Sequence, residues 1–148
     1  MYKRQETYRS KEIVKDADFS LRKGAHSAST SIYYLLTPDT FSELHRLNSD
    51  EVFHFYLGDP VEQLMLYPDG TGETVILGPD IFSGQKVQHV VPQGVWQGAK
   101  LKAGGQFALL GCTVAPSFEF SDYSSGICSK LQSLYPKFKD HIKLLTQN

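Results

Sequence analysis

The 148-residue chain carries 15 basic and 16 acidic side chains, 41% hydrophobic residues and a 12% aromatic share. One domain over residues 1–148 is the expectation for that length, with a core large enough to need no metal or disulfide. The even charge excludes the basic stripe that a nucleic-acid polymer requires, and no apolar run reaches the ~18 residues of a membrane helix.

The opening MYKRQETYRS has no apolar stretch of the signal-peptide kind. SIYYLL, residues 31–36, is a short apolar and aromatic run that suits a buried strand. Thr37-Pro38 predicts a helix start, with Thr as N-cap and Pro at the first helical position, and one or two turns through Phe41 and Leu44. EVFHFYLG is the next strand, closed by Gly58-Asp59-Pro60. Residues 61–67 alternate loosely, residues 68–72 (PDGTG) make a hairpin turn, and residues 74–77 return. Further strands are expected at 87–91, stopped by Pro92, at 96–101, and at 106–115 after the Ala103-Gly104-Gly105 turn. Short strands with Gly and Pro punctuation argue for an all-β sandwich or barrel, with strands over about 5–120. A helical tail over about 124–146 follows. Ile127, Leu131 and Leu134 sit at helical spacing, and Pro136 opens a second short helix with Phe138, Ile142 and Leu145 on one face. Two cysteines, Cys112 and Cys128, make no disulfide framework. A cytoplasmic protein with both thiols reduced is the expectation.

The polar chemistry concentrates in HRLNSDEVFHFYLG, residues 45–58, and in VPQGVWQGA, residues 91–99. Glu51, Phe53, Phe55 and Leu57 share one face of the strand, and Val52, His54 and Tyr56 share the other. Both faces carry aromatics, so alternation does not choose which is interior. His54 lies opposite Glu51 in a regular strand, and a bulge near Asp50 would reverse that.

These two segments resemble the two cupin motifs. The first motif has two histidines two apart, a glutamate four further on, and a closing glycine. His45, Glu51 and Gly58 match, while Leu47 stands at the second histidine position. The second has Pro-x-Gly followed by a histidine. Pro92 and Gly94 match, and Gln97 stands at the histidine position. The strings ETYRS, SIYYLL, DEVFHFYLGDP, VVPQGVWQGA and GCTVAP resemble, in order, the Cupin_5 (DUF985) family. The resemblance implies an all-β jelly-roll fold with short C-terminal helices, a homodimer, and a pocket inside the barrel.

In such a pocket His45, Glu51 and Gln97 come together. His45 with Glu51 and Gln97 could ligate a divalent metal, but a neutral Gln is a poor third ligand. The preferred reading is a metal-free polar pair in which Glu51 orients His45 and sets its tautomer. Trp96 either stacks on a ligand ring or plugs the barrel end. His54 and Tyr56 join the ligand contacts if their face is interior. One of Tyr33 and Tyr34 must face inward, and Tyr33 is the candidate acid partner to a His45 base. A phosphate could be met by Arg9, Arg22, Lys23 or Arg46, and nothing in the sequence selects one. No phosphate loop or nucleophile elbow is present. The reading is therefore a binder of a small metabolite: a sugar, sugar phosphate or nucleotide. The alternatives are a sugar-phosphate isomerase or nucleotide-sugar epimerase, and a metal-dependent cupin enzyme.

Overall fold

A computed structural model describes residues 4–15 and 24–147. The chain runs through strands β1 (Arg4–Arg9), β2 (Ile13–Val14), β3 (His26–Ser27), β4 (Thr30–Leu36), β5 (Ser42–Arg46) and β6 (Asp50–Gly58). It continues through β7 (Val61–Leu66), β8 (Gly72–Leu77), β9 (Gln88–Val91), β10 (Trp96–Leu101), β11 (Ala108–Ala115) and β12 (Ser124–Ser125). Two short helices close it, α1 (Cys128–Leu134) and α2 (Lys139–Leu144).

Two five-stranded antiparallel sheets face each other. The first has the order β1-β4-β11-β6-β9 and the second β12-β5-β10-β7-β8, while β2 and β3 form a small separate ribbon. Neighbours distant in sequence pair in both, as in a jelly roll. Between the sheets lies the main core, with Tyr34, Leu36, Phe53, Met65, Leu110 and Cys112 among its members. The strands that face it alternate as expected: in β11, Ala108, Leu110, Cys112 and Val114 are buried.

A second apolar cluster covers the outer side of the second sheet. There Leu44, Leu64 and Leu66 meet Leu131, Tyr135, Ile142 and Leu145 of the tail. This explains the loose alternation of β7, because its two faces are buried against different partners. The tail is fastened by Tyr135, whose hydroxyl donates to the Tyr67 carbonyl at 2.7 Å, and by the Leu44 amide, which donates to the Leu145 carbonyl at 2.7 Å. The 68–72 turn is held by Asp69 Oδ1, which accepts from the Thr71 amide at 2.9 Å, and Gly70 supplies the positive φ of 90° that the turn demands.

The helix predicted after Thr37 does not form. Thr40 Oγ1 accepts the Thr37 amide at 2.9 Å and the Thr40 amide returns to the Thr37 carbonyl, closing a tight turn. Residues beyond it enter β5, where pairing with β10 and burial of Leu44 outweigh a local Thr-Pro signal. No helix among the described residues is long and apolar enough to cross a membrane.

Candidate functional site

A cavity of about 680 Å³ opens between the sheets at one end of the sandwich. The first sheet contributes Arg4 and Glu6 of β1, Tyr34 of β4, Glu51 and Phe53 of β6, and Cys112 of β11. Across the gap, β5 brings Glu43 and His45. Phe118, Phe120 and Tyr123 cover it from the segment before β12.

His45 and Glu51 are 5% and 6% exposed. The His45 Nδ1 donates to the carbonyl oxygen of Glu43 at 2.7 Å, which leaves the lone pair on Nε2. Its ring stacks on Tyr123, with centroids 4.9 Å apart and planes 14° apart. The Tyr123 hydroxyl in turn donates to Glu43 Oε1 at 2.7 Å, and Ser125 donates to the same oxygen at 3.1 Å. The backbone of Glu43 thus sets the imidazole tautomer. The expectation that Glu51 would do so is corrected here.

Glu51 is held instead from the opposite sheet. Gln97 Nε2 donates to its Oε1 at 3.0 Å, and Gln97 Oε1 faces Gln63 Nε2 at 3.5 Å. A polar bridge of three buried side chains therefore crosses the sandwich. Burial pushes the Glu51 carboxyl up to about 7, with the Gln97 hydrogen bond and the Arg4 charge working against it. Burial holds the His45 imidazole down to about 4, the Glu43 carbonyl opposing this and the Arg4 charge adding to it. At neutral pH, His45 is a neutral base, and burial favours the protonated form of Glu51. Cys112, beside Glu51, has a thiol pushed well up by burial and by that carboxyl and is no nucleophile.

Register settles the two faces of β6. Glu51, Phe53 and Phe55 point into the sandwich, and His54 and Tyr56 point away from it. The bulge lies at Tyr56, between the Leu109 and Leu110 pairings, so the alternation from Asp50 is unbroken. Outside, His54 bonds Thr113 at 3.3 Å and stacks on Tyr56 at 6.2 Å, and Tyr56 meets Tyr33 edge-on at 6.1 Å. Tyr33 is 49% exposed, and its neighbour Tyr34 is the inward phenol. Trp96 also faces outward, on the second sheet, where it packs against the tail with the Arg46 guanidinium 4.7 Å from its ring centroid. Of the residues singled out in the sequence, the structure brings His45, Glu51 and Gln97 together. Tyr33, His54, Tyr56 and Trp96 lie on outer surfaces.

His45, Glu51 and Gln97 do not fit a divalent metal. Leu47 offers no donor, Gln97 turns its amide N–H toward Glu51, and that carboxyl already accepts it. Among the described residues no three His, Cys, Asp or Glu side chains gather as a ligand set. Arg4, Glu43 and Tyr123 were missed in the sequence. Arg4 and Glu6 share a strand face by their spacing of two, which was the available signal. Tyr123 sits in irregular chain, which gave none. Of the basic residues considered for a phosphate, Arg9 is tied to Glu6 and Glu119 at 2.8 Å each, and Arg22 and Lys23 lie outside the described residues.

A family model described as Cupin superfamily (DUF985) matches residues 2–125. The uncharacterized protein YML079W of Saccharomyces cerevisiae is 34% identical over 100 residues, covering 65% of this chain and 49% of the yeast protein. The match thus spans about half of that relative's length. A hypothetical protein from Leishmania major superimposes with a TM-score of 0.88 at 28% identity, over 98% of this chain and 89% of that one. Protein SO0799 from Shewanella oneidensis gives 0.82 at 31% identity, over 97% and 85%. The chain belongs to the DUF985 family of the cupin superfamily, and its jelly roll is the cupin fold.

Proposed function

We propose that this cupin binds a small polar metabolite, of sugar, sugar-phosphate or nucleotide type, in the cavity between its sheets. The observation that carries the reading is that two ionisable side chains, His45 and Glu51, line an apolar-walled cavity while nine-tenths buried. Apolar walls with a few convergent polar groups and perturbed acidities mark a ligand site. A thermal-shift series of sugars, sugar phosphates and nucleotides tests it. A ligand at one hundred times its Kd adds about 2.7 kcal/mol. The reading fails if no such compound shifts the transition.

The reversed acidities favour a second reading, isomerisation or epimerisation of that ligand. Here His45 Nε2 takes the proton from a carbon beside a carbonyl, and protonated Glu51 delivers its own to the carbonyl oxygen. The enol hydroxyl then returns its proton to Glu51 while the carbon takes a proton from a phenol on its opposite face, which inverts that centre. The imidazolium and phenolate reset by proton exchange, so no oxidant or reductant enters. Tyr34 and Tyr123 are the phenols that line the same cavity. His45→Ala separates the two readings: a binder loses affinity only, whereas an enzyme loses ~100-fold or more in turnover.

A second copy of the chain is the partner proposed for the outer face of the first sheet. Tyr33, Tyr56 and Val90 are each 49% exposed there, an aromatic surface on a chain whose net charge is −1. Cys112 and Cys128 are both free, which supports a reducing, cytoplasmic setting.

A further inference from the structure

The cavity holds three carboxylates and one guanidinium, and their partners are unequal. Glu6 is taken by Arg9 at 2.8 Å. Glu43 accepts from Tyr123 and Ser125. Glu51 accepts from Gln97. Arg4 has no carboxylate within ion-pair distance among the described residues. Its guanidinium lies over the Tyr34 ring, 5.2 Å from the centroid, and reaches toward the Tyr34 and Tyr123 hydroxyls. An arginine cannot shed its charge, and its planar fork matches a carboxylate or phosphate with two parallel hydrogen bonds. A half-buried cation without a counter-charge is costly unless something else supplies one.

We infer that Arg4 is the anion-reading residue of this cavity and that the ligand carries one carboxylate or phosphate on a body apolar enough for the walls. Those walls are Ile32, Leu47, Phe53, Val114 and Phe118. The inference rests on the proposed binding role of the cavity. It narrows the ligand to a single-headed anion, since one arginine facing three acidic side chains leaves little to neutralise a pyrophosphate. The Arg4 charge reaches His45, Glu51 and Tyr123, and in each case it lowers the pKa. An anion seated on Arg4 therefore quenches its push on His45.

The test titrates the full chain with benzoate, phenyl phosphate and benzyl alcohol, following the His45 ring resonance. Wild type is expected to bind at least one anion about tenfold or more tightly than the alcohol, as loss of a charge-assisted hydrogen bond implies. The tighter anion identifies which headgroup the site prefers. Arg4→Gln is expected to erase the preference, so that benzoate and phenyl phosphate bind no more tightly than benzyl alcohol. Arg4→Lys, which keeps the charge but not the fork, retains part of it. In wild type the anion also raises the pH at which His45 protonates, a readout that needs no variant to fold. Equal affinity for alcohol and anion, or a preference that survives Arg4→Gln, overturns the role of Arg4 and leaves the cavity as a binding site. If no probe perturbs His45, the inference falls, while the binding reading stands or falls on the thermal-shift series of sugars, sugar phosphates and nucleotides.

Discussion

His45 and Glu51 line one cavity with acidities displaced in opposite directions, to about 4 and about 7, by the same burial. Their effects on stability oppose each other. Glu51 ionises above 4.5 when unfolded but only near 7 when folded, so the native state holds the extra proton and stability falls as pH rises through that window. His45 protonates below 6.5 when unfolded but only near 4 when folded, so stability falls as pH drops through its window. Each slope approaches about 1.4 kcal/mol per pH unit, and they cancel where the windows overlap. Wild type is thus expected to show a flat stability between roughly pH 4.5 and 6.5 from this pair. Glu51→Gln unmasks a rise with pH, and His45→Asn unmasks a fall. Denaturant titrations at four pH values check this, and parallel profiles for the three proteins would refute it.

Among the described residues, Gln97 is the donor that reaches Glu51 from the opposite sheet, 3.0 Å away and 2% exposed. Gln97→Met keeps the volume and removes the amide. Glu51 Oε1 and Gln63 Nε2 then lose their partner, at a cost of about 1–3 kcal/mol. The Gln97 bond is the largest of the influences that lower the Glu51 pKa against burial, ahead of the Arg4 charge, so the variant should titrate Glu51 above wild type. Carbon-detected NMR of the carboxyl reads it directly. An unchanged titration would mean the bridge does not act on Glu51.

Strands β4 and β6 to β11 were legible because local turn chemistry separates most of them, with Pro and Gly at 58–60, 68–72, 92–94 and 103–105, whereas β5 was hidden behind the Thr-Pro helix signal that precedes it. His45, Glu51 and Gln97 were legible because the motif spacing places them on paired or facing strands. The faces of β6 were not, since an outward stack of His54, Tyr56 and Tyr33 looks in sequence like a second interior row. The same holds for Trp96, whose cover is a helix thirty and more residues later. The spacing of two could place Arg4 on a face with Glu6, but its role and that of Glu43 depend on which charges find partners, a property of the assembled cavity rather than of any segment.

His26 Nε2 and Asp122 Oδ2 are 2.7 Å apart and both side chains are nearly fully buried. Asp122 precedes Tyr123, so this bond fixes the segment that stacks on His45 and covers the cavity. Asp122→Ala removes the buried carboxylate that His26 Nε2 reaches and should cost about 3 kcal/mol. Unfolding midpoints in urea measure the loss. Hydrogen exchange at residues 118–123 should accelerate ahead of exchange in β11, since the cover loosens before the sheet does. Uniform acceleration across both would show the pair stabilising the whole sandwich rather than its lid.

Tyr56 lies over Gly111 on the outer face of the first sheet, so closely that a Cβ at 111 would stand 2.3 Å from its hydroxyl oxygen. That glycine lets the ring lie flat beside Tyr33 and His54. Gly111→Ala forces the ring to swing, which a half-exposed side chain does at a stability cost of less than about 1 kcal/mol. If this face is the contact with a second copy, the swung ring spoils it, and Tyr56→Lys spoils it further by placing a charge there. Light scattering after size exclusion should then report dimer for wild type, a weakened dimer for Gly111→Ala and monomer for Tyr56→Lys. The cavity on the far side of the sheet should keep its ligand response in all three. A wild-type monomer at micromolar concentration, or a dimer untouched by both changes, would remove this face from the assembly.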